Sequence, residues 1–391
     1  MRLRKGCSEM NRRDFLKVGI TGTTSALLGW EGLADAMQYA SSGSFDFPVP
    51  VYRTLGRTGM KITVISFGAG HTSDAELIRI AFDHGVNFVD TARFYMGGKN
   101  EEIVAKALKG RRDKVYISTK TLPWSESKKA IFNDVETSLR TLETDYIDVI
   151  QLHNLPNKDR AFIPEIRETL IRLKEQGKVR FFGVSTHTNQ IEVLNALVDD
   201  RDRFFDMAQV GYNFKSSKDL KGAIARAAQA NIGIIAMKTQ AGGYTTDTLG
   251  PISPHQAAIK WVLQDKNITA AIPSMRDMAE LREDIAVMGL RYGNVDRFIL
   301  KSYGAAIKPF YCHLCGKCET TCPKSVRISE INRCLMYAEG YENIDLARNS
   351  YSEIPANLSA TACLNCAVCV ARCVNDLKIA EKMERARKLL A

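Results

Sequence analysis

Residues 115–153 read VYISTKTLPWSESKKAIFNDVETSLRTLETDYIDVIQLH. Both ends of this stretch are rich in Val, Ile and Tyr, and between them apolar residues recur at three- and four-residue intervals from Lys128 to Leu142. The first pattern is typical of strands buried on both faces, and the second is typical of an amphipathic helix. The stretch therefore predicts two parallel strands joined by a crossover helix.

The same alternation recurs along most of the chain and predicts eight strand–helix units. Strands are predicted at Ile62–Gly68, Val86–Thr91, Val115–Lys120, Tyr146–His153, Arg180–Ser185, Ala208–Asn213, Ile232–Lys238 and Thr269–Ser274. Helices are predicted at Asp74–His84, Glu101–Leu108, Lys128–Leu142, Pro164–Glu175, Gln190–Val198, Lys218–Ala230, Pro254–Gln264 and Met278–Met288.

Eight successive units favour an α/β fold of the (β/α)8 TIM-barrel type over an open Rossmann sheet. A Rossmann sheet would also carry a Gly-x-Gly-x-x-Gly pattern after its first strand, which Gly68-Ala69-Gly70-His71 does not supply. The segment Tyr52–Ile62 predicts a hairpin that closes the N-terminal end of the barrel.

Length and composition fit one barrel with appendages. The chain has 391 residues, of which 45% are hydrophobic and 25% charged, and these values exclude a disordered, collagen-like or polytopic membrane protein. Its net charge of +10 is not clustered, so nucleic-acid binding is not expected. We expect three parts: a signal peptide at 1–36, the barrel at 50–290 and a C-terminal domain at 291–391.

The first 36 residues have the layout of a signal peptide. An apolar run from Val18 to Trp30 is shorter than the about 20 residues that span a membrane, and Ala34-Asp35-Ala36 provides a small-residue cleavage site. Arg12-Arg13 followed by Phe-Leu-Lys resembles a twin-arginine (Tat) signal, which implies export of the folded protein to the periplasm by the Tat translocase. An ordinary Sec signal or an uncleaved membrane anchor is the alternative.

Polar residues at the C-terminal ends of the predicted strands are candidates for an active site, because barrel enzymes place their sites there. Asp90, Lys120 and His153 end the second, third and fourth strands, and Tyr95 follows Asp90 closely. A tyrosine beside a lysine and a histidine can protonate a carbonyl oxygen, because the cation stabilises tyrosinate and lowers the tyrosine pKa. Asp90 is expected to keep Lys120 charged. Each residue alone is more often structural, but together they predict a catalytic group.

Through these motifs, residues 50–290 resemble the aldo/keto reductase family. The likeness lies in the Thr54–Gly59 segment, the Asp-Thr-Ala-x-x-Tyr motif from Asp90 to Tyr95, the strand-three lysine and the strand-four histidine. The resemblance implies an oxidoreductase that interconverts a carbonyl and an alcohol by hydride transfer with NADP or NAD. It also implies that Tyr95 is the general acid/base, that Asp90 and Lys120 tune it and that His153 orients the substrate carbonyl.

The resemblance also implies where the cofactor binds. The implied positions are Ser185, Gln209, Met237, Lys238, Gly242, Gly243, Ser274 and Arg276. Thr186 replaces the family's usual Asn beside the carboxamide-binding serine, and Met237 stands where the family often has an aromatic ring. Glu280 stands where NADPH-preferring members have an arginine, and a carboxylate near a phosphate is unfavourable. The choice between NADH and NADPH is therefore left open.

Two cysteine quartets lie near the C-terminus. Cys312–Pro323 reads C-x2-C-x2-C-x3-C-P, and Cys363–Cys373 repeats the cysteine spacing. This resembles bacterial-type ferredoxins and implies a mostly helical ferredoxin-like domain with two [4Fe–4S] clusters. By that resemblance one cluster is held by Cys312, Cys315, Cys318 and Cys373, and the other by Cys363, Cys366, Cys369 and Cys322. Zinc is the less favoured alternative, because zinc sites use separated C-x2-C pairs.

The linker between the quartets is longer than in a minimal ferredoxin. It contains a predicted helix at Ile328–Glu339, on which Cys334 is expected to be a core thiol. The negative charge of two clusters would also reduce the apparent positive charge of the chain, which removes the remaining support for nucleic-acid binding.

Two interpretations of the whole chain stay open. In the first, an exported reductase uses its clusters for electron transfer with a redox partner protein, or for structure. In the second, an electron-carrier iron–sulfur protein has a barrel that is a non-catalytic ligand-binding scaffold. The substrate is expected to be a small carbonyl or sugar-like alcohol compound, selected by loops 121–127, 154–163 and 239–254. Candidate pocket walls are Phe94, Trp124 and Tyr244.

Overall fold

The computed structural model describes residues 47–246, 249 and 252–391. The predicted signal peptide at 1–36 lies outside the described residues. Within the described part of the chain, no helix combines the length and the apolarity needed to cross a membrane.

In the described residues, eight parallel strands pair in chain order to form the barrel. A hairpin of β1 (Tyr52–Thr54) and β2 (Lys61–Thr63) precedes them. The barrel strands are β3 (Phe67–Gly68), β4 (Phe88–Asp90), β5 (Tyr116–Lys120), β6 (Ile147–Leu152), β7 (Val179–Thr186), β8 (Met207–Gly211), β9 (Gly233–Met237) and β10 (Ala270–Ala271). Parallel bridges from Ile65 to Ala271 and from Gly68 to Ser274 join the first strand to the last, which closes the sheet.

The eight strands and the barrel fold are confirmed, with one difference at the first strand. Ile62 was predicted to begin that strand, but it belongs to the hairpin, where Arg53 is its antiparallel partner. Ile62 is fully buried beside Leu55, Phe88 and Met207 at the N-terminal end of the barrel. Its apolar side chain therefore fills the base of the barrel, which also confirms the predicted hairpin.

Helices follow the strands at nearly the predicted positions. They are α1 (Ala75–Asp83), α2 (Asn100–Leu108), α3 (Lys128–Thr141), α4 (Pro164–Glu175), α5 (Gln190–Asp199), α6 (Lys218–Gln229), α7 (Pro254–Leu263) and α8 (Met278–Ile285). Several begin at side chains that accept a backbone N–H hydrogen bond, for example Ser127 at α3 and Asp277 at α8. Such caps satisfy the unpaired donors of the first turn.

The C-terminal part is helical. Residues 291–391 are all described, and none of them lies in a β-strand. The helices are α9 (Asn294–Ala306), α10 (Ile328–Glu339), α11 (Ile344–Ser352) and α12 (Ile379–Leu390). The predicted bounds of α10 are confirmed, and Cys334 is fully buried as expected. No prediction included α9, which packs against α7 of the barrel.

The C-terminal helices pack onto the mouth of the barrel. One apolar cluster joins Tyr244 and Ala257 of the barrel to Tyr303 and Ile331 of the C-terminal part. The contact at the end of α10 is very close, because a Cβ on Gly340 would lie 2.1 Å from the carbonyl oxygen of Gly242. As a result, α10 lies beside the C-terminal ends of the barrel strands.

Candidate active site at the barrel mouth

The predicted catalytic residues lie together at the C-terminal ends of neighbouring strands. Asp90 ends β4 and Lys120 ends β5, and Lys120 Nζ donates to Asp90 Oδ2 at 2.6 Å and to the Thr91 carbonyl at 2.7 Å. Burial raises the pKa of Asp90 and lowers the pKa of Lys120, while their mutual attraction opposes both shifts. Gln151 donates to the same carboxylate at 2.9 Å. These contacts hold Asp90 and Lys120 as an ion pair.

The environment of the Tyr95 hydroxyl differs from the one predicted from the sequence. Lys120 Nζ lies 4.7 Å from the centroid of the Tyr95 ring, and in the described residues its hydrogen bonds go to Asp90 and Thr91 rather than to the phenol. Burial, followed by the charge of Asp90, raises the pKa of Tyr95 well above its ordinary value. The expectation of a lowered pKa was wrong, because burial dominates the pKa of Tyr95 and the charge of Asp90 adds to the upward shift. Tyr95 is therefore a phenol that keeps its proton at neutral pH.

His153 follows β6 and faces Tyr95. The two rings meet edge to face with centroids 5.7 Å apart. Burial, assisted by the charges of Lys120 and Arg160, lowers the pKa of His153 well below its usual value, so the imidazole is neutral. Its Nδ1 is buried and has no hydrogen-bond partner among the described residues. An unpartnered nitrogen beside a pocket fits a hydrogen bond to a bound ligand.

Arg160 is a buried loop-positioning residue that was not predicted from the sequence. Its side chain is buried and donates to the carbonyl oxygens of Ser125, Leu122 and His153, at 2.8 to 2.9 Å. It thereby ties together the loops at 121–127 and 154–163. Arg160 lies in a polar loop, and no sequence pattern distinguishes it from an exposed arginine.

Two further histidines line the pocket and were also missed as site residues. Burial lowers the pKa of His71 to about 3 and that of His187 well below its usual value. His187 directly follows β7, and His71 lies in the loop after β3, so their position at the strand ends is the signal that could have found them.

Most of the predicted cofactor residues lie around one cavity of about 160 Å³. The predicted residues that line it are Gln209, Met237, Lys238, Gly243, Ser274 and Arg276. Ser185 lies just beneath, where its Oγ accepts the Asn154 backbone N–H at 3.0 Å. Thr186 does not take the place of the missing Asn, since its hydroxyl donates to the Leu155 carbonyl at 2.8 Å.

Two of the predicted cofactor-binding residues make contacts within the protein. Gly242 has φ +98°, and a Cβ there would lie 3.1 Å from Met336, so this glycine permits close packing of α10. Arg276 forms an ion pair with Glu280 at 2.5 Å and donates to the Tyr341 carbonyl at 3.0 Å. Its charge is therefore largely balanced within the chain.

Of the three aromatic residues predicted to form pocket walls, only Phe94 lines the cavity. Phe94 lines the cavity, and the exposed Trp124 packs edge-on against it with centroids 5.6 Å apart. Tyr244 is buried outside the cavity lining, and its hydroxyl donates to the Phe310 carbonyl at 3.3 Å.

The C-terminal part supplies another wall of the cavity. Arg333 and Tyr337 on α10, Tyr341 after it and Glu353 after α11 all line the cavity with Tyr95 and His153. These residues were not among the predicted site residues, because residues 291–391 were expected to form a separate domain.

The eight predicted cluster cysteines form two groups that cross the two motifs. The thiols of Cys315, Cys318 and Cys373 act electrostatically on the Cys312 thiol, whose pKa burial raises to about 12. In the same way, the Cys363 thiol is affected by those of Cys366, Cys322 and Cys369. Backbone N–H groups of Leu314 and Asn375 donate to the Sγ atoms of Cys312 and Cys373, at 3.4 and 3.3 Å.

These cysteines are free thiols, and no disulfide joins cysteines of the described residues. Across the same residues, no three His, Cys, Asp or Glu side chains are arranged to hold a metal ion.

Comparison with known proteins supports the assignment of a barrel fold. Residues 68–249 match the aldo/keto reductase family model. The aldo-keto reductase YhdN of Bacillus subtilis is 36% identical over an alignment of 168 residues, and the match covers 37% of this chain and 50% of YhdN. L-galactose dehydrogenase of Arabidopsis thaliana is 24% identical over an alignment of 306 residues, and the match covers 66% of this chain and 94% of that protein. The chain thus spans about half the length of some curated relatives that it matches.

A solved structure supports the same assignment. An aldo/keto reductase from Klebsiella pneumoniae, in complex with NADP and acetate, is 25% identical with a TM-score of 0.55, covering 65% of this chain and 96% of that one. The family match and this likeness agree with the closed parallel barrel. Residues 68–249 are therefore similar in sequence to the aldo/keto reductase family, and the barrel is similar in fold to a solved member.

Proposed function

We propose that the protein is an NAD(P)-dependent oxidoreductase that interconverts a small carbonyl compound and an alcohol, with Tyr95 as the general acid/base. The convergence of Asp90, Tyr95 and His153 on one cavity, with Lys120 bound to Asp90, carries this proposal. The Klebsiella relative's NADP and the Arabidopsis relative's name support the same class of chemistry. The test is NADH- or NADPH-dependent reduction of an aldehyde by the purified protein.

Each residue at the mouth of the barrel has a separate role in the proposed carbonyl reduction. A bound nicotinamide would supply the hydride to the carbonyl carbon. Tyr95 donates its phenolic proton to the carbonyl oxygen, and the charge of Lys120 near the ring stabilises the resulting tyrosinate. Neutral His153 holds the same oxygen through a hydrogen bond, and Asp90 fixes Lys120. In alcohol oxidation the same groups act in reverse.

The strand ends fit the nicotinamide end of the cofactor. Gln209 offers an amide, Ser185 offers a hydroxyl and Met237 offers a polarizable apolar surface.

The ion pair between Arg276 and Glu280 leads us to propose NADH as the preferred cofactor. A 2′-phosphate at this place would meet a carboxylate and an arginine that is already paired. In Glu280→Gln the arginine is released, so kcat/KM with NADPH should rise about tenfold relative to NADH. The measurement is kcat/KM for both cofactors with one aldehyde.

The matched control for this variant is Glu136→Gln. Glu136 pairs with Lys178 at 2.5 Å on the outside of the barrel. A ratio of NADPH to NADH activity that is the same in both variants would exclude Glu280 as the determinant.

We also propose that residues 291–391 bind two [4Fe–4S] clusters, which would supply one-electron transfer. The crossed grouping of Cys312 with Cys373 and of Cys363 with Cys322 supports this, since it is the ligand pattern implied by the ferredoxin resemblance. The N–H donors to Cys312 and Cys373 fit thiolates that hold a cluster.

A redox partner protein would exchange electrons with these clusters. The thiol of Cys315 is exposed, which favours electron transfer at that edge. Bleaching of the visible cluster absorption by NADH would support exchange between nicotinamide and clusters. Clusters that stay oxidised during aldehyde reduction would instead support a structural role.

Export through the Tat translocase to the periplasm is the third element of the proposal. It is based on Arg12-Arg13 and the apolar run that follows. Replacing both arginines with lysine is expected to retain the full-length protein in the cytoplasm, as measured by cell fractionation. Unchanged export of the variant would favour a Sec signal.

A further inference from the structure

The tyrosine whose hydroxyl is held by cations is Tyr337 rather than Tyr95. Tyr337 lies on α10, is 6% exposed and lines the cavity that also contains Tyr95 and His153. Lys238 Nζ donates to its phenolic oxygen at 2.9 Å, and an Arg333 guanidinium nitrogen donates at 3.1 Å. The barrel and the C-terminal part thus meet at this hydroxyl.

The hydrogen bonds of Tyr337 leave its proton without a protein partner. A phenolic oxygen accepts through its lone pairs and donates one proton. Lys238 and Arg333 both donate to it, and no acceptor for its proton occurs among the described residues. A buried donor that lines a cavity and has no acceptor in the protein is suited to a ligand oxygen.

The surrounding charges strengthen this donor. Burial acts to raise the pKa of Tyr337, but Lys238 and Arg333 together outweigh it and lower the pKa. Arg333 is paired with Glu330, whereas Lys238 has no carboxylate within ion-pair distance in the described part of the chain. A phenol beside two cations donates more strongly than an ordinary tyrosine.

We propose that Tyr337 donates a hydrogen bond to a second oxygen of the substrate while Tyr95 protonates the reacting carbonyl. The pocket is therefore selective for carbonyl compounds with a hydroxyl or second carbonyl group near the reacting carbon. This inference rests on the proposed oxidoreductase function.

The position of Tyr337 depends on the segment between the cysteine quartets. At the start of α10 the Ser329 backbone N–H donates to Glu319 at 2.7 Å, and the Arg327 N–H donates to the Leu358 carbonyl at 2.9 Å. The C-terminal domain is thus part of the substrate site as well as a place for clusters.

Tyr337→Phe, compared on matched aldehydes, tests the proposal. Glyceraldehyde and propanal have the same carbon chain and differ in hydroxyl groups, and an aldopentose with pentanal forms a longer pair. We expect kcat/KM for the hydroxylated member to fall about 10- to 100-fold, and that for the plain aldehyde to change less than about twofold. The dissociation constant of NADH, measured by fluorescence, should stay the same.

Tyr351→Phe is the matched control. The Tyr351 hydroxyl is buried in the same domain and accepts the Ala360 backbone N–H at 3.1 Å, outside the cavity lining. Its removal should leave the ratio between the two aldehydes unchanged.

Other outcomes overturn the proposal. An equal fall for both aldehydes with weaker NADH binding would mean that Tyr337 contacts the cofactor, and no change would mean that it contacts neither. Wild-type turnover of propanal without a Tyr337 effect refutes only this inference. Turnover of no aldehyde in either pair refutes the proposed function and this inference together.

Discussion

Tyr95→Phe is expected to lower kcat for aldehyde reduction by about 10²- to 10⁴-fold, the usual contribution of a positioned general acid. The ring is retained, so its edge-to-face contact with His153 and its position over Lys120 persist. The proton donor alone is lost. We therefore expect KM for the aldehyde to change much less than kcat, as measured by steady-state kinetics with NADH.

The raised pKa of Tyr95 adds a pH dependence to this prediction. Tyr95 must be protonated to act as an acid, and burial raises its pKa well above the ordinary value. Reduction by the wild type should therefore not decline between neutral and mildly alkaline pH through loss of this proton.

The control for Tyr95→Phe is Tyr146→Phe. Tyr146 lies at the opposite end of the barrel, where Arg112 is 3.8 Å from its ring centroid. Unchanged turnover in Tyr95→Phe would exclude Tyr95 as the general acid, and no turnover by the wild type would favour the non-catalytic scaffold.

Paired cysteine variants should reveal how the clusters are held. The anaerobically purified wild type should contain about eight irons and equal acid-labile sulfide. Because we propose that Cys312 and Cys373 share a cluster, Cys312→Ser with Cys373→Ser should remove only half of the iron. Cys363→Ser with Cys373→Ser should remove nearly all of it, since these residues would serve different clusters.

The reverse result would assign each cluster to its own sequence motif. Iron-free protein with bound zinc would replace the clusters with zinc sites. Cys334→Ala is the control, because this thiol is buried on α10 and belongs to neither quartet. Its iron content should match that of the wild type.

Much of the fold was predictable because each barrel element carries its own pattern. The strands are buried on both faces and read as continuous apolar runs, as in Ile147–Leu152. Helix α9 was not predicted, although its buried residues Ile299, Leu300 and Tyr303 have helical spacing. It contains Gly304, which disfavours a helix interior, and this glycine is tolerated because a Cβ there would lie 3.1 Å from the Phe214 ring.

The sequence by itself determined the strand ends, and therefore the neighbourhood of Asp90, Lys120, Tyr95 and His153. It also determined the cysteine spacing. Both features are local, because they depend on residues within one strand–helix unit or one short motif.

Only the tertiary structure determined which groups the side chains of Lys120 and Lys238 contact. Lys120 is bound to Asp90, and Lys238 instead holds the hydroxyl of Tyr337. Tyr337 lies 99 residues from Lys238 along the chain, and the two meet because α10 packs onto the loop after β9 through Gly242 and Gly340. A contact of this kind depends on the docking of two distant segments, which no periodicity or spacing within either segment encodes.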